Sequence, residues 1–415
     1  MIREAPHLEV FWMRRSPHML FQGGFHAFPG GKLEPDEDAR ACAARELHEE
    51  TGASLNPALL LDAGRWVTPP FAPNRFDTNF FLATCPPGQT PHVASPEHDL
   101  GEWVRPAHAL QQWMEGRVLV AAPVLHALRC LSEGTQDIQS RMKASPGANG
   151  DPITEVEVRP GVSLIPLLTP TLPPATHTNC YVIGGDEVIV VDPASPYEAE
   201  QSLLDRVLSG RNVREIWLTH LHRDHVGGAN HLRAKSGARV AAHPITARDL
   251  EGLVDVDRTF QENEQLKLAG NPGWSLQVFH TPGHARGHVC IFESRSGSLI
   301  TGDLMAGAGT IVIDPPEGHM ATYLDSLRRM QSLPVTALLP AHGPVMADAK
   351  TRIQQYLDHR LARELSILEA WNAGHREPAD IVKTVYTDVP ETMHALAARS
   401  VIAHLEKLRD EGFCI

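Results

Sequence analysis

The sequence predicts an α/β chain of two or three domains that ends in a helical tail. Three observations predict it. The length of 415 residues exceeds the ~150 residues typical of one domain. Lys143 to Pro152 is rich in turn formers and poor in apolar residues, which marks a boundary. Beyond that boundary, short β-rich apolar runs alternate with amphipathic stretches, the rhythm of an α/β sandwich. With 42% hydrophobic and 21% charged residues the chain has material for substantial cores.

Composition also excludes. No segment reaches the ~18 consecutive apolar residues of a membrane span; the longest candidate, Val118 to Leu128, is interrupted by Pro123, so no membrane partner is expected. Met1 to Ser16 lacks the apolar core of a secretory signal. The six cysteines (Cys42, Cys85, Cys130, Cys180, Cys290 and Cys414) include no C-x-x-C pair, which argues against a zinc ribbon and a disulfide scaffold and for a reducing cytoplasm. A net charge of −13 argues against a chain-wide basic surface for nucleic acid. With 23 histidines, several of them clustered, any metal is expected on imidazole and carboxylate.

The first domain is expected over residues 1–142, the linker over 143–155. Leu8–Met13 reads as a strand. Gly30-Gly31 and the acidic stretch to Glu37 lead into a helix from Asp38 to Thr51, with acidic residues at its start, where they suit the dipole, and Gly52 as its left-handed stop. On this helix Glu46, Glu49 and Glu50 fall at i, i+3 and i+4. Like charges so spaced cost a helix ~0.2–0.5 kcal/mol per pair, so stability does not explain them. A hard divalent cation does: Mg²⁺ prefers carboxylate oxygen and bridges to substrate phosphates.

Gly31, Glu37, Arg45, Glu46, Leu47, Glu49, Glu50 and Gly52 stand in the register of the Nudix box, and the segment resembles that family, with Ala53 where a larger aliphatic residue is usual. The resemblance implies an α/β/α fold, Mg²⁺ or Mn²⁺ on Glu46, Glu49 and Glu50, a structural pair of Arg45 with Glu37, and hydrolysis of a nucleoside diphosphate linked to another moiety. Gly24 to Gly31 also resembles the approach to the box in coenzyme A diphosphatases. In Nudix domains a further strand precedes the one at Leu8–Met13. Met1–Pro6 is polar and short, so the chain is expected to start late relative to its relatives, with that strand missing.

The second domain is expected over 156–349. Its strands are read at Asn179–Ile183, Val188–Val191, Glu215–Thr219, Arg239–Ala242, Ser275–Phe279, Val289–Phe292 and Leu299–Thr301. The strand ending at Thr219 runs into His220-Leu221-His222-Arg223-Asp224-His225, where His220 and His222 alternate toward one point and the following turn brings Asp224 and His225 to a second. Gly227-Gly228 permits the tight entry into the next helix. Three further strand ends offer His284 (in Thr281-Pro282-Gly283-His284), Asp303 (in Thr301-Gly302-Asp303) and His342 (in Pro340-Ala341-His342-Gly343-Pro344). Five histidines and two aspartates at four strand ends are not core chemistry; they suit Zn²⁺, with Fe or Mn as alternatives. His280 and His319, near these motifs, are read as bystanders.

These residues resemble the metallo-β-lactamase fold, H-x-H-x-D-H with later His, Asp and His, over roughly Val156 to Met346. The resemblance implies an αββα sandwich holding two metals. His220, His222 and His284 would bind the first, Asp224, His225 and His342 the second, and Asp303 would bridge. A hydroxide between the metals, its pKa lowered toward ~7, would attack the substrate, and Asp192 would hold the ligand loop from behind. Asp224 and Asp303 are the residues expected to matter most for catalysis. β-Lactamases lack an aspartate at the place of Asp224, so antibiotic hydrolysis is not expected.

The tail, 350–415, reads as helices Tyr356–Trp371, Pro378–Tyr386 and Met393–Arg409. Together with Thr310, Tyr323–Leu327, Pro340–Val345, His359-Arg360 and Arg363-Glu364, it resembles the winged-helix-like tail of the lactamase-like branch that includes a single-strand-RNA endonuclease and stands near glyoxalase II. Asp and Glu at least equal Lys and Arg across the tail, so a structural role is favoured over reading RNA. The expectation is a metal-dependent hydrolase of an acyl thioester, related ester or nucleotide-linked small molecule, with a Nudix diphosphate-hydrolase module in front. RNA cleavage and a non-catalytic scaffold are the alternatives.

Overall fold

The computed structural model describes residues 1–4, 6–19, 21–68, 75–146, 153–271 and 273–413. The core of the expected linker, 147–152, and Cys414 lie outside the described residues. The chain divides into two compact units, Met1–Leu164 and Ile165–Ile415.

In the first unit a small mixed sheet is centred on Glu9–Arg15, which is paired along its length with His98–Val104 and, at its end, with Phe25–Ala27. Its residues Val10 to Met13 are almost fully buried. The strand expected to be missing has a short counterpart: Ile2 and Arg3 pair antiparallel with Val10 and Glu9. One apolar side chain, Ile2, is enough to seat this edge in the core. The helix Ala39–Thr51 begins one residue later than expected. Asp38 stands outside as its cap, accepting from the N–H groups of Arg40 and Ala41, and the first turn itself carries no acid. A capping carboxylate serves the exposed N–H groups directly. Gly52, at φ 71°, closes the helix as a left-handed residue. The helices Pro106–Met114 and Ala122–Ser132 cover the sheet with Trp113, Leu125 and Leu128.

The second unit holds two sheets. In the first the neighbours run Arg258–Thr259, Arg239–Ala242, Asn212–Trp217, Glu187–Val191, His177–Gly184 and Val162–Leu168; the hairpin Val156–Arg159/Val162–Leu168 spans the point of division. The pairs from Glu187–Val191 through Arg258–Thr259 are parallel, joined by crossover helices such as Glu198–Val207 and Ala229–Ser236. The second sheet runs Gln265–Leu268, Trp274–His280, Val289–Glu293, Ser298–Gly302, Ala337–Pro340 and Met346–Ala347, and the helix Met320–Gln331 crosses between its one parallel pair. Ser298–Gly302 and Ala337–Pro340 are buried at every position, as strands covered on both faces must be. Helices cover the outer faces: Leu204 and Leu232 on the first sheet, Tyr323, Leu324, Leu327 and Ile353 on the second. Tyr181 and Asn179 donate to the Pro340 carbonyl at 2.8 Å, tying the sheets together at one rim. The architecture is an αββα sandwich.

The tail consists of the helices Ala349–Asn372, Pro378–Val385 and His394–Asp410. The last two pack on the first through Ile367, Ile381, Val382, Val401 and Leu405. A buried carboxylate, Glu364, accepts from Lys407 at 2.7 Å and from His404 at 3.0 Å.

Candidate metal centre

Carboxyl ends of parallel strands are where α/β sheets place their sites, and the functional side chains stand there. Asp192 follows Val191, the His220–His225 run follows Trp217, Asp303 follows Gly302, and His342 follows Pro340. The short helix Arg223–Val226 is pressed backbone to backbone against the loop after Asp192. A Cβ on Gly228 would stand 2.1 Å from the Pro193 carbonyl oxygen, so the second glycine of the pair is a steric requirement.

The structure gathers all seven expected donors into two adjoining groups. His220, His222, His284 and Asp303 form one, and Asp224, His225 and His342 the other; within each, donor atoms lie within 4.8 Å of one another. His222 Nδ1 lies 2.9 Å from His220 Nε2 and 3.0 Å from His284 Nε2. Asp303 stands between the groups: Oδ2 is 3.4 Å from His284 Nε2 and Oδ1 is 3.4 Å from His342 Nε2. Asp224 Oδ2 is 3.6 Å from His342 Nε2.

The outer ring nitrogens have partners of their own. His284 Nδ1 meets the Val312 carbonyl at 2.8 Å, His342 Nδ1 the His177 carbonyl at 3.0 Å, and His225 Nδ1 the Asp192 carboxylate at 2.8 Å. Each acceptor holds the proton on Nδ1 and leaves the Nε2 lone pair facing inward, the tautomer a metal ligand requires. At the centre His225 Nε2 and Asp303 Oδ1 are buried without a hydrogen-bond partner. Orphaned polar atoms at this depth are costly, and bound divalent metal would satisfy them; the donor set fits Zn²⁺, Fe or Mn.

Burial alone would raise the Asp303 carboxyl, but His342 and His225 hold it well below the usual carboxylate range. In return Asp303 overcomes burial and raises both of those imidazoles, so a metal bound there would take the place of their Nε2 protons. Burial pushes His220 well below its ordinary value, aided by the neighbouring imidazoles, and takes His284 to about 4. Both are therefore neutral and able to donate a lone pair at pH 7.

Asp192 lies at φ 49°, a region few non-glycine residues enter. It accepts from Thr219 N–H at 2.8 Å, from Thr219 Oγ1 at 2.6 Å, and from His225. His280 stacks on His243 at 3.9 Å and meets the Arg286 carbonyl; His319 caps the helix Met320–Gln331. Neither joins the cluster.

In the first unit, Arg45 pairs with Glu37 at 2.9 Å and reaches Glu46 at 2.9 Å and Glu49 at 3.1 Å. Glu50 turns inward instead, accepting from Gly30 N–H at 2.9 Å, with His98 Nδ1 at 3.6 Å. Burial pushes its carboxyl up to about 7. Among the described residues, the three glutamates do not form a group within 4.8 Å of one another. Gly31 passes so close that a Cβ there would lie 2.3 Å from the Glu46 carboxylate.

Comparison with known proteins agrees with this geometry. Residues 173–342 match the metallo-beta-lactamase superfamily, residues 1–122 the NUDIX domain, and residues 378–413 the beta-lactamase associated winged helix domain. A beta-lactamase-like protein 2 homolog from Caenorhabditis elegans is 30% identical over 243 residues, covering 57% of this chain and 79% of that one. The chain belongs to the metallo-beta-lactamase superfamily. It is a hydrolase of that fold with a Nudix domain in front and a winged-helix domain behind. A beta-lactamase domain protein from Burkholderia ambifaria, 25% identical, superposes with a TM-score of 0.54 over 62% of this chain and 88% of that one. An atrochrysone carboxyl ACP thioesterase from Aspergillus aculeatus is 29% identical over 203 residues, 48% of this chain and 61% of that one.

Three residues of this metallo-β-lactamase site escaped the sequence reading. Thr219 bridges Asp192 and His220 Nδ1 at 3.0 Å. His288, buried, holds Thr281 Oγ1 at 2.9 Å and accepts from Asp303 N–H at 3.0 Å. Glu317 Oε2 lies 3.6 Å from His222 Nε2. Of these only His288 carried a signal, a second histidine one short turn beyond His284.

Proposed function

We propose that the chain hydrolyses acyl thioesters at a dinuclear site held by His220, His222 and His284 on one side, Asp224, His225 and His342 on the other, and Asp303 between. The observation that carries this reading is the inward convergence of these seven donors around the partnerless atoms of His225 and Asp303. These residues would hold two Zn²⁺ (or Fe or Mn) ions, which would supply a water of lowered pKa, toward ~7, and polarise the carbonyl. Asp303 keeps the charge that balances such a pair. Asp192 fixes the tautomer of His225, and the Val312 and His177 carbonyls do the same for His284 and His342.

The thioester class is supported by the relative named a thioesterase. The tail, lacking a surplus of Lys and Arg over Asp and Glu, disfavours RNA. In the Nudix domain Glu46, Glu49 and Glu50 would take Mg²⁺ or Mn²⁺, and Arg45, already paired with Glu37, would be held by it while the substrate diphosphate is hydrolysed. We assign residues 1–142 to the Nudix domain, 143–155 to the linker, 156–349 to the sandwich and 350–415 to the tail.

The test is turnover by the full chain of acyl-coenzyme A and acyl-carrier-protein thioesters against a fluorescent single-stranded RNA, each with and without chelator. Thioester turnover that chelator abolishes supports the reading. RNA cleavage without thioester turnover, or turnover insensitive to chelator, overturns it.

A further inference from the structure

We propose that the winged-helix tail governs occupancy of the first metal subsite, through Glu317 as a positioning residue for His222; this rests on the dinuclear reading above. His222 turns Nδ1 inward to His220 and His284, so Nε2 is its outer nitrogen. The group that meets it is Glu317, at 3.6 Å. The other oxygen of that carboxylate, Oε1, is buried with no hydrogen-bond partner among the described residues. The same loop, residues 304–319, supplies the Val312 carbonyl to His284 Nδ1 at 2.8 Å. One segment thus orients two of the three imidazoles of the first subsite.

That segment is gripped from the tail at three places. Tyr356 Oη accepts from Ala306 N–H at 3.0 Å and lies 3.0 Å from the Ala306 carbonyl. The buried Arg360 guanidinium donates to the Ile311 carbonyl and lies 5.4 Å from the Tyr323 ring centroid. Arg399, on the last helix, donates to the Asp314 carboxylate and to the Pro315 carbonyl at 2.9 Å. The Arg399 contacts sit two and three residues from Glu317, so they bear most directly on its place. An imidazole whose outer N–H is held by a carboxylate keeps its tautomer and gains basicity, and losing such a partner costs a metal site ~10–100-fold in affinity.

The experiment uses the full-length protein stripped of metal and titrated with Zn²⁺ against a chromophoric chelator. Asp224→Ala serves as the background that leaves the first subsite alone. Glu317→Gln is expected to weaken that remaining zinc by about 10–100-fold, Glu317→Asp to recover part of the loss, and Arg399→Ala to weaken the same zinc. Metal-free melting temperatures of the Glu317 variants should match the parent, since a structural role would move them. Unchanged zinc affinity in either Glu317→Gln or Arg399→Ala overturns the inference, as does an equal loss at both subsites of the otherwise wild-type chain. A wild-type chain that takes up no zinc defeats the dinuclear reading itself, a separately visible result.

Discussion

Asp192→Asn tests whether the cluster is organised from behind. The carboxylate is 2% exposed. Its Oδ1 accepts from Thr219 N–H at 2.8 Å, and its Oδ2 serves both Thr219 Oγ1 and His225 Nδ1. Asparagine keeps the shape and the first bond but puts an N–H₂ where Oδ2 stood. The Thr219 hydroxyl can rotate to accept; the imidazole must either face a donor with its own N–H or move its proton to Nε2. The first loses a hydrogen bond to a charged group, about 1.5–3 kcal/mol. The second removes the inward lone pair that binds metal. At 1.4 kcal/mol per tenfold the loss is roughly 10–150-fold in affinity at the subsite of His225, in line with the ~10–100-fold typical of such outer contacts. Competition titration with a chelator measures it, and the metal-free melting temperature reports the structural share. Wild-type affinity for both equivalents in Asp192→Asn would refute the reasoning.

Asp224→Ala should leave one metal per sandwich and lower thioester turnover by at least ~10²-fold; elemental analysis and initial rates check both, and near-normal turnover contradicts the dinuclear assignment. Glu46→Gln should abolish Mg²⁺-dependent hydrolysis of a nucleoside diphosphate derivative while thioester turnover by the same chain is unchanged. Gly228→Ala, forced against the Pro193 carbonyl, should displace the loop of Asp224 and His225 and reduce metal content together with melting temperature. Glu364→Gln removes the charge that Lys407 and His404 share, leaving Lys407 only Glu411 at 2.9 Å, and should cost about 1.5–3 kcal/mol, read from thermal unfolding. Burial would raise the Glu364 carboxyl, but His404 and Lys407 hold it below its ordinary 4.5. Its contribution is therefore complete above that value and lost as pH falls through the lower folded one, so the acid-side decline from this group should vanish in Glu364→Gln.

Seven strands of the sandwich were legible because they are short apolar runs bounded by turn formers. Arg239–Ala242 is observed as read, and Glu215–Thr219 starts three residues earlier and stops two short, at Asn212–Trp217. The other five gain one to three residues, where pairing rather than apolarity sets the limit; Val162–Leu168 and Ala337–Pro340 were not among them. The seven donors were legible because each follows such a run, and strand ends in this topology share a rim. What the sequence hid depends on distant contacts. Ile2 and Arg3 look like a polar terminus until they pair with Val10 and Glu9. Glu317 lies in a proline-rich loop, and only the fold carries it to His222, 95 positions earlier in the chain. The acids before the Nudix helix read as its first turn, yet Asp38 stands outside as the cap. The side chain of Thr219 serves as a hub because Asp192, from a separate strand end, meets a hydroxyl that also faces His220 and His225 of its own loop, an encounter no local pattern announces.

Asp303 is placed to join the two metals of the proposed site. An anomalous difference map from crystals of the zinc-loaded chain tests this most directly. Two peaks ~3.5–4 Å apart are expected, with the Asp303 carboxylate between them and one imidazole set on each. A single peak with Asp303 turned away from His342, or no peak among these side chains, would contradict the proposed site.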